Sequence, residues 1–384
     1  MCCMKKKICI VVSSMMTVKV FLLDHIAALS QKYNVSVVAN TNDMDFFNDA
    51  GIKATLIPIR IERKISLWHD LKALFKLFCL FRKRRFDVVH SVTPKAGLLT
   101  MIAGILSNVP IRIHIFTGQV WVTRSGIVRW LLKTVDWLFV SLATDVLVDS
   151  FSQQNFLIKE NVITANKSRV LAKGSISGVD TVRFRPDASV RKQIREKEKI
   201  FDSEIVFLYL GRLNKDKGLL DLAIAFSTLC SDYGHIHLMV VGPDEENIRP
   251  RMENICASCM DRIHFIDYTS VPEQYMVAAD VFCLPSYREG FGSTIIETAC
   301  IGIPAIGSRI YGITDAIDED ITGLLYEVGN AEELVGRMKQ FINVPILIKK
   351  MGEAARIRAQ RHFSKEKVTS AMLEYYEEKL TLAD

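Results

Sequence analysis

The chain has 384 residues, of which 49% are hydrophobic and 24% are charged, a composition typical of globular proteins and long enough for two domains. The sequence contains no run of about 18 uninterrupted apolar residues, which argues against a transmembrane helix. The formal net charge of +6 is uneven, because residues 1–173 hold 24 Lys and Arg against 11 Asp and Glu, whereas the remainder is net acidic. The basic first part predicts an anionic substrate or surface as its partner.

The start of the chain and its nine cysteines predict a cytosolic protein. Three lysines at 5–7 precede an apolar run of only five residues, which is too short for a secretory signal peptide. Thiols stay reduced in the cytosol. Cys256 and Cys259 form a single C-x-x-C pair without the further ligands that a zinc site needs, which favours ordinary thiols.

Short apolar runs alternate with helical periodicity through the first half of the chain. Strands are predicted over 7–13, 35–40, 55–59, 87–91, 111–116 and 145–149, and helices over 18–32, 65–85, 95–106 and 124–142. The longest apolar candidate, 127–148, contains four charged residues and is interpreted as a packed helix followed by a strand. This alternation predicts βα units, a parallel sheet and right-handed crossovers.

The second half repeats the alternation. Strands are predicted over 205–210, 237–241, 263–266, 279–285 and 303–306, and helices over 219–233, 272–279, 294–302, 331–341 and 346–362. The glycines and serines of 173–180 mark the best boundary between the halves. We therefore predict an α/β protein of two doubly wound domains, with ligands in the cleft between them.

The stretch 286–297 reads as a glycine-bearing turn between a strand and a helix, with Ser293 as the expected N-cap. Such turns place backbone N–H groups and the positive end of a helix dipole at one point, which suits a phosphate. Glu289 in the turn and Glu297 one turn into the helix would accept hydrogen bonds from hydroxyls, and a nucleotide-sugar offers a ribose and a hexose. The alternative is a surface glutamate and a capping glutamate.

A second glycine-bearing turn, 211–218, also lies between a predicted strand and a predicted helix. Its Arg212 and Lys217 would present two cations, and arginine can grip phosphate oxygens bidentately while lysine acts as a point charge. The alternative is a solvated turn whose charges face water. Together with the two glutamates, these cations describe one diphosphate-sugar pocket.

The patterns Gly-Arg-Leu…Lys-Gly at 211–218, Glu-Gly-Phe-Gly…Glu at 289–297 and Ser-Gly-Val-Asp…Phe at 177–184 resemble those of retaining glycosyltransferases of family 4. The resemblance covers most of the chain and implies a GT-B fold, in which two Rossmann-like domains face a central cleft. On this basis the divisions are an acceptor-binding domain, a linker, a nucleotide-sugar domain and a C-terminal helix that packs back on the first domain. Their expected bounds are 1–173, 174–186, 187–362 and 363–384.

The resemblance also implies roles for the two turns. Arg212 and Lys217 would hold the donor diphosphate and stabilise it as it leaves, so no metal or other cofactor is expected. Glu289 would contact hydroxyls of the transferred sugar, as a positioning group before a nucleophile, beside backbone N–H groups of Gly290, Phe291 and Gly292. Glu297 would bind the ribose hydroxyls. Two D-x-D strings, at 43–45 and 318–320, are interpreted as surface turns and not as metal sites.

The first half is expected to bind the acceptor through residues at its strand ends. Many relatives carry an active-site histidine near the segment 112–121, where His114 and Thr117 are the candidates and Gly118 follows. His90 ends the preceding strand and is a further candidate. The alternative for His114 is an ordinary histidine within a strand.

Two further contacts are expected from the resemblance. Ser13 and Ser14 replace the Gly-Gly turn that many relatives have after the first strand, and are assigned to the acceptor side. Tyr268 follows the strand predicted over 263–266 and is expected near the base of the nucleotide.

Within the helix predicted over 65–85, the stretch 68–85 has an apolar face and gathers basic residues at Lys72, Lys76 and 82–85. This pattern is typical of an interfacial helix on an anionic membrane leaflet. The alternative is a core-facing helix with a basic last turn, which the helix dipole favours. The basic first half supports membrane contact, as expected for an acceptor on a polyprenyl diphosphate.

The function expected from these features is a retaining glycosyltransferase, peripheral on the inner face of the cell membrane. It would move a hexose or N-acetylhexosamine from a nucleotide-sugar, expected to be UDP-linked, to a lipid-linked saccharide for a surface polysaccharide. No nucleic-acid partner is expected. The alternatives are a nucleotide-sugar epimerase of the same fold and a non-catalytic, nucleotide-sugar-binding protein docked on membranes.

Overall fold

Two parallel sheets, of seven and six strands, form the frameworks of two compact units in the computed structural model, which describes residues 5–62 and 66–382. The first unit contains the chain up to Ser177 and again from Lys365, and the second contains Gly178–Ser364. The predicted α/β class and the two doubly wound domains are confirmed.

The first sheet has the strand order β3-β2-β1-β4-β5-β6-β7, with every pair parallel. Its strands are β1 (Lys7–Val11), β2 (Asn34–Ala39), β3 (Ala54–Pro58), β4 (Val88–Ser91), β5 (Ile111–Phe116), β6 (Asp145–Val148) and β7 (Ser168–Val170). The connecting helices are α1 (Met15–Thr17), α2 (Leu23–Lys32), α3 (Phe46–Asp49), α4 (Leu67–Arg84), α5 (Pro94–Leu106), α6 (Gly126–Leu142) and α7 (Phe151–Lys159). A π-helical stretch, Val18–Leu22, joins α1 to α2. Position 65 of the helix predicted over 65–85 lies outside the described residues.

Alternate residues of β1 divide the core of the first unit into two layers, because successive side chains of a strand point to opposite faces. Ile8 and Ile10 pack with residues of α2, whereas Cys9 and Val11 pack with residues of α4 and α5. Residues of α5 and α6 pack together over Phe116, Val146 and Val148. Helices α4, α5 and α6 therefore form one layer, with α5 in contact with both neighbours.

The second sheet has the strand order β10-β9-β8-β11-β12-β13, again with every pair parallel. Its strands are β8 (Ile205–Leu210), β9 (Ile236–Val241), β10 (Ile263–Ile266), β11 (Val281–Leu284), β12 (Ala305–Ser308) and β13 (Gly323–Tyr326). Its helices are α8 (Ala188–Lys197), α9 (Leu219–Cys230), α10 (Arg249–Ile255), α11 (Pro272–Ala278), α12 (Ser293–Ile301), α13 (Ile313–Ala316), α14 (Ala331–Asn343) and α15 (Ile346–His362). The last helix, α16 (Lys365–Leu382), returns to the first unit and packs against α2.

The segment expected to be a linker, 174–186, is corrected by the structure. Val179 and Phe184 are buried in the core of the second unit. The Val179 backbone N donates to Phe363 O at 2.8 Å. Residues from Gly178 onward are therefore part of that unit, because their apolar side chains complete its core.

Candidate functional site

The candidate site lies where the strand order of the second sheet reverses. Strand β8 pairs with β9 on one side and with β11 on the other, so the connections after β8 and β11 leave the sheet in opposite directions. Ligands of open parallel sheets bind at such points, outside the carboxyl ends of the strands. In the structure the two glycine-bearing turns, 211–218 and 285–292, follow these two strands.

The two turns contact each other through their backbones. Tyr287 N donates to Asp216 O at 2.8 Å, and Arg288 Nη2 lies 3.0 Å from Asp216 Oδ2. Gly218 has φ +67°, and a Cβ added there would lie 1.9 Å from Pro285 O. Only glycine can take this conformation at this distance, so Gly218 fixes the approach of the two turns.

Each turn ends at the start of a helix through a left-handed glycine. Gly218 precedes α9 and Gly292, with φ +70°, precedes α12. The expected N-cap Ser293 is wrong, because Gly292 holds that position and Ser293 is the first helical residue. A glycine cap has no side chain that could accept from the first-turn N–H groups. Asp221 N and Ile295 N donate to the oxygens of their capping glycines, so the N–H groups of the first two residues of each helix can donate to an anion, together with the helix dipole.

Lys217 and Glu289 form an ion pair between the two turns. Lys217 Nζ contacts Glu289 Oε1, and Ser286 Oγ donates to the same oxygen at 2.8 Å. The lysine and glutamate side chains are only 18% and 15% exposed. The structure therefore brings together the lysine and the glutamate that the sequence places 72 positions apart. Ser286 is a partner that the sequence analysis did not identify.

Arg212 takes a different partner. Its guanidinium Nη1 lies 3.1 Å from Glu245 Oε2, and its side chain is 55% exposed. An exposed ion pair of this kind contributes little to stability, so the guanidinium is free to exchange partners. Its backbone is held more firmly, because Tyr209 Oη donates to Arg212 O at 2.8 Å.

Glu297 is half-buried in α12, one turn from the start of the helix. Burial raises the pKa of its carboxyl to about 7, and Glu273 adds to the increase while Arg183 opposes it. Arg183 Nη2 itself donates to Glu273 Oε2 at 2.7 Å. Within the described part of the chain, no group donates a hydrogen bond to Glu297, so its oxygens can accept from a ligand.

The Glu-Gly-Phe-Gly turn presents its backbone rather than its apolar side chain. Phe291 is 3% exposed and packs against Phe363, with ring centroids 5.3 Å apart. A Cβ at Gly312 would lie 2.3 Å from Gly290 O, so a second backbone supports this turn.

Tyr268, between β10 and α11, is 70% exposed and accessible to a ligand.

The histidines of the first unit lie within its core. His114 on β5 is fully buried, and its Nδ1 lies 2.9 Å from Ser91 Oγ. A Cβ at Gly97 would lie 2.7 Å from the imidazole Cε1 of His114, so α5 closes over the ring. Burial lowers the pKa of His114 to about 3. This placement corresponds to the alternative of a strand histidine and does not bring His114 to an exposed edge.

His90 has a similar position. Its Nδ1 lies 2.7 Å from Tyr376 Oη, and burial lowers its pKa to about 3. The ring is 2% exposed, so His90 is likewise enclosed instead of presented at a strand end.

The remaining candidates of the first unit follow β1 and β5. Ser13 is buried and accepts a hydrogen bond from Thr93 Oγ1 at 3.1 Å. Ser14 caps α1 by accepting from Met16 N at 3.2 Å. Thr117 is half-buried, and Gly118 has φ +119°. Because β1, β4 and β5 are neighbours in the sheet, these groups share one edge.

Asp149, at the end of β6, is a group that the sequence analysis missed. It is 3% exposed, and burial raises the pKa of its carboxyl to about 8. Its Oδ1 has no hydrogen-bond partner among the described residues. The available signal was its position as the charged last residue of the strand predicted over 145–149.

The two D-x-D strings and the C-x-x-C pair, which were considered as metal motifs, lie at the surface and in the core respectively. Asp43 and Asp45 are exposed, and so are Asp318 and Asp320. Cys256 is buried and its Sγ donates to Ala223 O at 3.4 Å.

Comparisons with known proteins identify the family. A model of the family "Glycosyl transferases group 1" matches residues 190–358, and a "Glycosyl transferase 4-like domain" model matches residues 18–174. The capsular polysaccharide biosynthesis glycosyltransferase CapM of Staphylococcus aureus is 31% identical over 315 residues, which cover 82% of each chain. The chain belongs to the family of group 1, family 4-like glycosyltransferases that includes CapM.

One further relative and one solved structure are similar to this chain. An Escherichia coli enzyme named UDP-Gal:alpha-D-GlcNAc-diphosphoundecaprenol alpha-1,3-galactosyltransferase is 25% identical over 331 residues, covering 83% of this chain and 82% of that one. The structure of HepE from Anabaena in complex with UDP-glucose superposes with a TM-score of 0.79 at 17% identity, over 97% of this chain and 99% of that one. The expected GT-B fold class and the expected transferase activity are confirmed.

Proposed function

We propose that this glycosyltransferase moves a hexose or N-acetylhexosamine from a UDP-sugar to a lipid-linked saccharide in the assembly of a surface polysaccharide, at the inner face of the cell membrane. The observation that carries the proposal is the Lys217–Glu289 pair between two glycine-capped helix starts. It joins a cation for a diphosphate to a carboxylate for a sugar. The names of the Staphylococcus aureus and Escherichia coli relatives support the polysaccharide context and the lipid-linked acceptor.

The diphosphate end of the donor explains the charges of the two turns. Departure of a nucleoside diphosphate develops negative charge, and fixed donors that stabilise this charge lower the barrier. Lys217 Nζ and the N–H groups of the first two residues of α9 and α12 are fixed donors of this kind. Arg212 would leave the exposed Glu245 for the phosphate oxygens, because a charge-assisted bidentate contact is stronger than its present exposed pair.

The sugar and ribose explain the two glutamates. Glu289 is held by Lys217 and Ser286 through Oε1, so its carboxylate is oriented before the sugar arrives. Glu297 needs hydrogen-bond donors, and the two ribose hydroxyls would supply them. Glu289 acts as a positioning group, and the acceptor attacks on the face that the diphosphate leaves, so the anomeric configuration is retained.

Helix α4 supports contact with an anionic membrane. Trp68, Leu71 and Phe75 are 73%, 60% and 66% exposed, and Lys72 and Lys76 are exposed beside them. A core-facing helix alone does not require these apolar side chains in water. A lipid-linked acceptor would keep the enzyme near such a surface.

The test measures release of nucleoside diphosphate from a panel of UDP- and GDP-sugars, with a membrane extract as the source of acceptor. We expect release from a UDP-sugar that depends on the extract, and activity that persists in EDTA. A folded protein that releases no diphosphate from any donor would refute the proposal and favour a binding protein. Conversion of the free sugar nucleotide without an acceptor would favour an epimerase, and loss in EDTA with rescue by manganese would favour a metal-dependent reaction.

A further inference from the structure

Helix α6 presents an apolar face to solvent. Positions three or four residues apart share one stripe of a helix, so residues 127, 130, 131, 134, 137, 138 and 141 lie together. The exposed fractions of its large side chains are 82% for Ile127, 65% for Trp130, 53% for Leu131, 53% for Trp137 and 40% for Leu138. The helix packs against its unit through Phe139 and Val140, as predicted. Its opposite side is also apolar, although it faces solvent.

The charges of α6 are directed away from this face. Arg129 Nη2 and Lys133 Nζ donate to Glu160 Oε2 at 2.9 and 2.7 Å. Asp136 is buried and accepts from Trp121 Nε1 at 2.8 Å. The ionic groups of the helix are thus bound by its own unit, and the outer stripe offers water only Thr134 and Ser141 as polar side chains.

The neighbouring helices continue this surface. Helix α5 lies between α4 and α6 in the same layer, and its Ile105 and Leu106 are 38% and 57% exposed. Helix α4 adds the exposed apolar residues already described, with lysines among them and Arg82 and Lys83 exposed in its last turn. The outer helical surface, as we call the exposed sides of α4, α5 and α6, is therefore apolar at α6 and mixed apolar and basic at α4.

We propose that the α6 face enters the boundary between the headgroups and acyl chains of a bilayer, while the cations of α4 contact lipid phosphates. Tryptophan favours this boundary because its ring is apolar and its N–H is polar. Apolar side chains that lie in the interface bind in proportion to the area they bury, and nearby cations add attraction to anionic lipids. The inference rests on the proposed function for the presence of a bilayer, and it assigns the larger part of the apolar contact to α6, beside the smaller contribution of Trp68, Leu71 and Phe75 on α4.

A second copy of the chain is a less suitable occupant. A two-fold dimer brings the same surface of both copies together. Contact through the outer helical surface would then draw the cations of the two α4 helices towards each other, since Asp70 of α4 is already paired with Lys95 and Asp136 of α6 is buried. Lipid phosphates have the opposite sign and remove this conflict. Among the described residues no helix is both long and apolar enough to cross a membrane, so the proposal concerns insertion from one side.

The test is co-sedimentation of the full chain with vesicles, without donor or acceptor. One vesicle preparation is pure phosphatidylcholine and the other contains an anionic lipid, and each is measured at low and high salt. We expect wild-type protein to bind phosphatidylcholine even at high salt, which weakens attraction between exposed charges. Lipids with brominated acyl chains are expected to quench its tryptophan fluorescence.

The decisive variant is Trp130→Glu combined with Trp137→Glu. Both side chains are largely exposed, so the fold is expected to be retained, as checked by circular dichroism. Affinity for phosphatidylcholine is expected to fall at least about tenfold, because two apolar rings no longer leave water. The matched control is Phe201→Glu, which replaces a 74% exposed aromatic residue of the second unit and is expected to leave vesicle binding unchanged.

Three outcomes would overturn the inference. The first is a wild-type chain that binds neither vesicle preparation, and the second is a double variant that binds as tightly as wild type. The third is a wild-type dimer, measured by sedimentation equilibrium, that the double variant disrupts while lipid binding is absent. Because vesicle binding needs no sugar nucleotide, it can fail while diphosphate release persists, and the two proposals are separable.

Discussion

The two sheets use the carboxyl ends of their central strands differently. In the second unit, Lys217, Glu289 and Arg212 lie on turns and are partly exposed, each bound to a side chain that a ligand could replace. In the first unit, His90 and His114 lie within strands and are enclosed by helices. The same topology therefore supplies accessible polar groups where glycine turns extend beyond the strands, and core packing where the polar residue is still inside the strand.

The largest expected effect is that of Lys217→Ala on the second unit. Removing one fixed donor from a developing anion typically lowers kcat about 100- to 1000-fold. The melting temperature should fall only modestly, because Lys217 is not a core residue and Glu289 keeps the hydrogen bond from Ser286 Oγ. Diphosphate release and thermal unfolding are measured together, with Lys215→Ala, an exposed lysine of the same turn, as the control. Near-normal turnover of the Lys217 variant would remove this residue from the diphosphate site.

Gly218→Ala tests whether the contact between the turns is a backbone property. The new Cβ would lie 1.9 Å from Pro285 O, at a φ of +67°. The left-handed conformation and the overlap together are expected to lower the free energy of unfolding by about 2–4 kcal/mol. Gly234→Ala is the control, because a Cβ there has no atom within 4 Å. Equal free energies of unfolding of the two variants, measured in urea, would show that the turns can move apart at Gly218 without loss of stability.

These glycines also show what the sequence could predict. Apolar runs and glycine turns predicted both sheets except their edge strands β7 and β13, and they predicted the two strand–turn–helix units that bear Lys217 and Glu289 as parts of one pocket. They also suggested Ser293 as a cap, because serine is a frequent cap. Gly292 takes that position because the chain must turn through a left-handed conformation there.

The missed features depend on distant contacts. Arg212 and Glu245 are 33 positions apart, and the sequence of neither segment predicts their ion pair. The periodicity of α6 showed apolar residues but not which side would be covered. His114 could be placed in a strand, whereas its enclosure depends on the absence of a side chain at Gly97 on α5.

His114→Ala tests whether His114 of the first unit is a core residue or an active-site residue. If the ring is a core group, its loss leaves a cavity and lowers the free energy of unfolding by about 2–4 kcal/mol. The turnover of the protein that remains folded should be nearly unchanged. A variant of normal stability with a large fall in kcat would instead support the active-site role predicted from the resemblance. Urea unfolding and diphosphate release on the same preparation distinguish the two results.

The smallest expected effect is a pH dependence that belongs to Glu297. Its pKa is raised by burial to about 7 from an ordinary value of 4.5, so its contribution to stability is present below about pH 4.5 and is lost as pH rises through about 7. Ribose hydroxyls would donate to the ionised carboxylate and favour it, so UDP should bind more tightly as pH rises from about 6 to 8. The gain is at most about tenfold for each unit by which binding lowers the pKa.

Calorimetric titration of UDP across this pH range measures the effect, and Glu297→Gln provides the reference. The terminal phosphate of UDP also titrates near pH 6, so wild type and variant share that dependence. Only the difference between the two profiles belongs to Glu297. Parallel profiles would mean that the Glu297 carboxyl does not accept hydrogen bonds from the ribose. The Lys217–Glu289 pair would then be the remaining evidence that the second unit, unlike the first, presents polar groups to a ligand.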